Sequence, residues 1–238
     1  MTESTPSMHH PVRPDGPRTP ALLVFDVNET LSDMAPIATR FLDVGAPPDL
    51  AKTWFAGLLR DGFALTVAQT NPSFASLGAE GLRVMFTGMS LNRGIGDAVQ
   101  YIMDGFFGLQ VHPDVAEGIR ALAKLDIRLV TLGNGSASIA RRLLANAGLE
   151  DAFESCLSVE HAGIWKPAAG AYAYAIAACE VDPVDAMLVA AHPRDTDGAH
   201  RAGLASAWIN RTGGPYPDYF LPPDLEAASL LDLADRLR

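Results

Sequence analysis

The feature that most constrains this chain is a short, unbroken apolar run that stops at a carboxylate: Ala21-Leu22-Leu23-Val24-Phe25, then Asp26. Consecutive apolar residues leave no polar face. A run of this kind fits a strand covered on both sides, as in a parallel sheet. The pattern recurs. Ile127 to Leu132 ends at Gly133-Asn134-Gly135, Ala186 to Ala191 ends at His192-Pro193, and Ala205 to Ile209 ends at Asn210-Arg211. An amphipathic stretch from Ala137 to Ala147 and a second helix-like segment from Ala168 to Cys179 lie among them. Buried strands alternating with helices predict an α/β fold with a parallel sheet flanked by helices. Ligands of such sheets collect outside the carboxyl ends of the strands. Asp26, Asn134 and the segment His192 to Asp197 are therefore expected at one rim.

Residues 39–109 carry no strong buried-strand run. Trp54, Leu58, Leu59, Phe63 and Leu65 suggest helix, as do Leu77, Leu82, Val84 and Met85. The expected organisation is a core built from 20–38 and 110–238, with a helical cap subdomain, 39–109, inserted after the first strand. Residues 1–19, rich in Pro and holding His9 and His10, read as a loose tail. Eighteen basic against 28 acidic residues give a net charge of −10, which argues against general nucleic-acid binding. A local cation can still hold a small anionic substrate. Cys156 and Cys179 are the two cysteines, read as buried free thiols rather than a disulfide framework. No zinc-type spacing, membrane-length apolar run or secretory-type leader is present, so the default expectation is a soluble, cytoplasmic protein.

Three polar elements invite chemistry. Asp26 at a strand end admits three roles: helix cap, metal ligand or nucleophile. Lys166-Pro167 follows a turn-like stretch, and most lysines are solvated. Asp195, in Arg194-Asp195-Thr196-Asp197-Gly198-Ala199, also reads as a helix cap. Their order is more specific than any one of them: strand-Asp, strand-Gly-Asn-Gly, Lys-Pro, then strand-Asp-x-x-Gly-Ala. Together with Leu157-Ser158-Val159 and Trp208-Ile209-Asn210-Arg211-Thr212-Gly213, that order resembles the haloacid dehalogenase superfamily across residues 21–212. Within it, the chain is most similar to the type II (S)-2-haloacid dehalogenases.

The resemblance implies a Rossmann-like core with a cap, a homodimer, no cofactor, no metal, and hydrolysis of a small 2-haloacid. It implies Asp26 as nucleophile, Lys166 as its partner, Asp195 as the group orienting water, and Thr30 and Asn134 as hydrogen-bond donors around Asp26. Phosphatases of the superfamily place a second Asp two residues after the nucleophile and a Gly-Asp pair before the last Asp. Here those places hold Asn28 and Ala190-Ala191. An amide is no general acid, and methyl groups do not ligate magnesium. Halide displacement requires neither part. The alternatives are a phosphatase-like hydrolase of another small substrate, or a non-catalytic protein of the same fold.

Several family positions depart here. Asn28 stands where the family has Tyr, Gly133 where it has Ser, and Ala190 and His192 where it has Ser and Asn. A family Arg in the cap aligns with Phe55, ungapped from Trp54, and the same alignment puts Leu59 and Phe74 on pocket positions. Arg60 is the nearby substitute for that Arg, although five residues turn a helix about 140° away and a solvated surface charge is the plainer reading. The expected substrate contacts are Asn28, Trp54, Phe55, Leu59, Arg60, Phe74 and His192. The cap's apolar side chains Trp54, Phe55, Leu59, Phe63 and Phe74 are expected to shape a small pocket, with at least half of them forming the cap's own core.

Overall fold

The computed structural model describes residues 19–238; His9, His10 and nearly all of the expected tail lie outside the described residues. Six strands form one parallel sheet: β1 (Leu22–Phe25), β2 (Arg128–Gly133), β3 (Ser155–Ser158), β4 (Ala186–Ala190), β5 (Ala205–Ile209) and β6 (Leu225–Ala227). Their order across the sheet is β3-β2-β1-β4-β5-β6. β1 is central, pairing with β2 on one side (Phe25 beside Thr131) and β4 on the other (Phe25 beside Val189). The chain direction reverses its progress across the sheet at β1, so the ends of β1, β2 and β4 form the crevice where such folds bind ligands.

Alternation along the strands builds a core on each face. Leu22, Val24, Val130, Leu132, Leu188 and Ala190 face one way, toward α8 (Ala169–Cys179) and α9 (Pro193–Arg201). Leu23, Phe25, Leu129, Met187 and Val189 face the other, toward α5 (Val115–Leu122), α6 (Ala137–Asn146) and α10 (Leu230–Arg236).

Between β1 and α5 the chain forms four helices and no strand: α1 (Pro36–Asp43), α2 (Leu50–Val67), α3 (Phe74–Phe86) and α4 (Ile95–Phe107). The first begins at Pro36, ahead of the boundary expected at 39. α2 buries Ala51, Trp54, Phe55, Leu58, Leu59 and Gly62, the spacing of one wide helical face. The cores of the four helices and of the first sheet face are continuous. Gly62 makes that seam possible: a Cβ there would sit 2.4 Å from the Trp165 ring. α2 thus lies directly against the residue preceding Lys166. No helix among the described residues is long and apolar enough to cross a membrane.

Candidate active site

Asp26 is the first residue past β1, its backbone N–H still donating to Val189 O of β4 at 3.0 Å. Lys166 comes from the loop after the short helix α7 (Val159–Ala162), and Asp195 from the first turn of α9. These three residues, distant in sequence, meet beneath the surface, with 6%, 3% and 5% of their area exposed. Lys166 Nζ donates to Asp26 Oδ1 at 2.8 Å and to Asp195 Oδ2 at 2.6 Å. One ammonium therefore joins two carboxylates.

The second Asp26 oxygen is also held. Thr30 Oγ1 donates to Oδ2 at 2.7 Å and itself accepts from the Ala191 N–H at 2.9 Å. His192 Nδ1 lies 3.1 Å from the same oxygen, while its Nε2 lies 2.7 Å from Glu29 Oε2. Burial alone would push the Asp26 carboxyl up. The Lys166 ammonium and the His192 hydrogen bond outweigh it and hold Asp26 well below the usual carboxylate range. For Lys166, burial works downward, but Asp195 and Asp26 raise its pKa above the ordinary lysine value. His192 is raised in the same way, by Asp26 and Glu29 against burial. Asp26 is thus an ionised, desolvated carboxylate with both oxygens fixed.

Asp195 is anchored from behind by Tyr172 of α8, whose hydroxyl donates to Asp195 Oδ1 and lies 3.1 Å from its main-chain oxygen. Burial and the facing Asp195 charge raise the Tyr172 pKa well above its ordinary value, so the phenol stays protonated and donating. Gly198 brings α9 against this group: a Cβ there would fall within 2.8 Å of Pro167 O and the Tyr172 hydroxyl. Arg211 clamps the loop after β1. It donates to Thr30 O at 2.9 Å and pairs with Asp114 at 2.9 Å.

A small cavity opens over Asp26, lined also by Asn28, Phe55, Leu59, Lys166, His192 and Arg194. The centres of water-sized spheres can occupy about 20 Å³ of it, little more than the room for one water. It shares Phe55, Leu59, Phe63, His192 and Arg194 with a wider outer groove of about 940 Å³ by the same measure. Ala190 and Ala191 at the end of β4 offer no oxygen side chain, so the donor set does not suit magnesium. No group of three His, Cys, Asp or Glu among the described residues is placed to hold a metal ion.

The expected site residues divide. Asp26, Thr30, Lys166, Asp195 and His192 converge, and Asn28, Phe55 and Leu59 line the cavity. Asn134 lines it too, but its amide does not bond Asp26. Its Oδ1 accepts from the Lys166 backbone N–H at 3.0 Å, and its Nδ2 donates to Lys166 O at 3.4 Å, so it pins the lysine's main chain. Trp54 does not line the cavity. Neighbours on a helix point about 100° apart, and Trp54 faces α3, donating from Nε1 to Gly78 O at 2.9 Å. Phe74 is a layer behind, stacked against Phe106 and Trp165. Arg60 lies in the outer groove with its side chain 75% exposed, paired with Asp61. Cys156 and Cys179 are free and buried. Tyr172, Glu29 and Arg194 were not anticipated. Tyr172 sits in an apolar helical pattern that reads as core, and nothing in the sequence marks the other two.

A family model for haloacid dehalogenase-like hydrolases matches residues 20–203, and the chain belongs to that family. Among individual proteins it is similar to (S)-2-haloacid dehalogenase 4A of Burkholderia cepacia, with 29% identity over 215 residues, 88% of this chain and 91% of that one. It is 31% identical to the (S)-2-haloacid dehalogenase of Pseudomonas sp. (strain YL) over 129 residues, covering 54% of this chain and 56% of that protein. The crystal structure of a dehalogenase with an intermediate complex superposes with a TM-score of 0.85 at 26% identity, covering 92% of this chain and 97% of the other.

Proposed function

We propose that this protein is a hydrolytic dehalogenase of small 2-haloalkanoic acids. The observation that carries the reading is the meeting of Asp26, Lys166 and Asp195 in one small cavity. The names of its relatives support the same substrate class.

In the first step an Asp26 oxygen attacks C2 from the side opposite the halogen. The new C–O bond forms as the carbon–halogen bond breaks, and halide leaves with the electron pair. Desolvation favours this attack, and Lys166 keeps the nucleophile ionised throughout. The product is an ester of Asp26, inverted at C2. In the second step water adds to the ester carbonyl carbon and passes a proton to Asp195, which Tyr172 and Lys166 hold in place. The negative charge that develops on the carbonyl oxygen falls where Thr30 and His192 donate, an oxyanion-hole arrangement. The acyl–oxygen bond then breaks as Asp195 returns its proton to the departing alkoxide, which leaves as the 2-hydroxyacid. The second proton of the water, now on the Asp26 carboxyl, is lost to solvent and the Asp26 carboxylate is restored.

The helices from 39 to 109 act in this reading as the cap that excludes water, with Phe55, Leu59 and Phe63 as the cavity's apolar wall. The enzyme works as a cytoplasmic homodimer without cofactor or metal. Incubation with chloro-, bromo- and fluoroacetate and with 2-chloropropionate tests the proposal. Halide release that disappears in Asp26→Asn is the expected result; no release from any of the four by folded protein overturns it.

A further inference from the structure

The cavity over Asp26 is lined by three basic side chains, Lys166, His192 and Arg194. Two are committed. Lys166 is bonded to Asp26 and Asp195, and His192 bridges Asp26 and Glu29. Arg194 is different. Among the described residues no carboxylate lies within ion-pair distance of it. Its guanidinium instead lies over the Phe63 ring at 6.0 Å. Phe63 and Arg194 line both the inner cavity and the outer groove, whereas Asp26, Lys166 and Asp195 line the inner cavity alone. The guanidinium thus stands at the junction, on the outward side of the nucleophile. It also sits in the first turn of α9, where the helix dipole disfavours a cation. Glu29 acts on it only from beyond ion-pair distance, so the guanidinium has no direct anionic partner, in a chain whose net charge of −10 repels anions.

We propose that Arg194 is the anion seat of this site, binding a monoanionic group of the ligand, either the substrate carboxylate or the departing halide. The assignment rests on the dehalogenase reading for the identity of those anions, though not for the existence of the seat. In-line attack by Asp26 directs the leaving group away from the carboxylate, toward the junction that Arg194 occupies. A carboxylate on the same carbon comes within reach of the same side chain. An unpartnered guanidinium has hydrogen-bond donors for either.

Calorimetric titration with 2-hydroxypropionate, its amide and bromide tests the seat without any turnover. Arg194→Gln is expected to weaken binding of one or both anions by about ten- to a hundredfold. Arg194→Lys is expected to fall between, and the neutral amide to bind all three proteins alike. Loss of the carboxylate alone assigns the seat to the substrate acid, and loss of bromide assigns it to the leaving group. Equal affinity of wild type and Arg194→Gln for both anions overturns the proposal. So does a wild-type protein that binds the amide as well as the acid and does not bind bromide, a comparison that needs no variant to fold. Halide release in parallel separates the two readings. A wild type that binds these anions but releases no halide refutes the dehalogenase and leaves the seat standing. Turnover with unchanged KM and kcat in Arg194→Gln refutes the seat alone.

Discussion

Replacing Lys166 with Met removes the charge that lets two buried carboxylates coexist. Asp26 Oδ1 and Asp195 Oδ2 are bonded to the same nitrogen at 2.8 and 2.6 Å. At an effective dielectric near 20, two unit charges about 5 Å apart repel by about 3 kcal/mol, or roughly two pKa units. Without the ammonium, that repulsion adds to a desolvation cost that already pushes Asp26 upward. The carboxyl pair then shares a proton, and Asp26 moves from well below its ordinary value to above it. In the wild type the stabilisation from ionised Asp26 is present above the carboxylate range and is lost as pH falls through its depressed value. In the variant the sign reverses, so lowering the pH restores stability relative to wild type. Near neutral pH the lost pairing is expected to cost about 3–5 kcal/mol. Urea titrations and initial rates of halide release, both across roughly pH 4 to 9, report the two effects. The expected outcome is a rate reduced at least about a hundredfold, with an acid limb that the wild type lacks in this range. A Lys166→Met protein with the wild-type urea midpoint and no new acid limb would show that the ammonium does not hold the two carboxylates ionised.

Other substitutions probe the supports. Gly198→Ala puts a methyl group within 2.8 Å of Pro167 O and the Tyr172 hydroxyl, so we expect a loss of about 1–3 kcal/mol and a larger loss of kcat, read by thermal melts and halide release. Gly62→Ala meets the Trp165 ring at 2.4 Å and is expected to shift Trp165 fluorescence and lower activity together. Tyr172→Phe removes the hydroxyl that holds Asp195; about 1–3 kcal/mol of stability and a slower second step, seen as accumulated ester by mass spectrometry, are expected. His192 is raised above its ordinary value of 6.5. Its stabilising contribution is complete below that value and fades as pH rises through the higher folded one. The stability difference between wild type and His192→Asn should therefore shrink as pH rises above His192's ordinary value of 6.5, as measured by urea titration.

Legibility in the sequence followed burial. β1, β2, β4 and β5 were readable because each lies inside the sheet and is covered on both faces, which forces unbroken apolar runs. β3 and β6 lie at the two edges. Ser155-Cys156-Leu157-Ser158 and Leu225-Glu226-Ala227 carry polar residues there, and neither stands out as a strand. Asp26, Lys166 and Asp195 were recoverable because their order along the chain carries information that each residue lacks. Trp54 and Phe74 were misplaced because a helical apolar pattern marks burial without saying whether the buried side meets a cavity or another helix. Asn134 was matched to the right neighbourhood but the wrong partner, since a short amide reaches main chain as readily as a carboxylate. Glu29 sits at a φ of +59°, and its bond to His192 depends on a turn that no residue pattern announces.

In the proposed mechanism Asp26, rather than water, delivers the first oxygen to carbon. A single turnover with enzyme in excess over 2-chloropropionate, run in water labelled with oxygen-18, tests it directly. Unlabelled 2-hydroxypropionate and oxygen-18 in the peptide that contains Asp26 are the expected products. Labelled product from that first turnover, with an unlabelled Asp26 peptide, would contradict the mechanism.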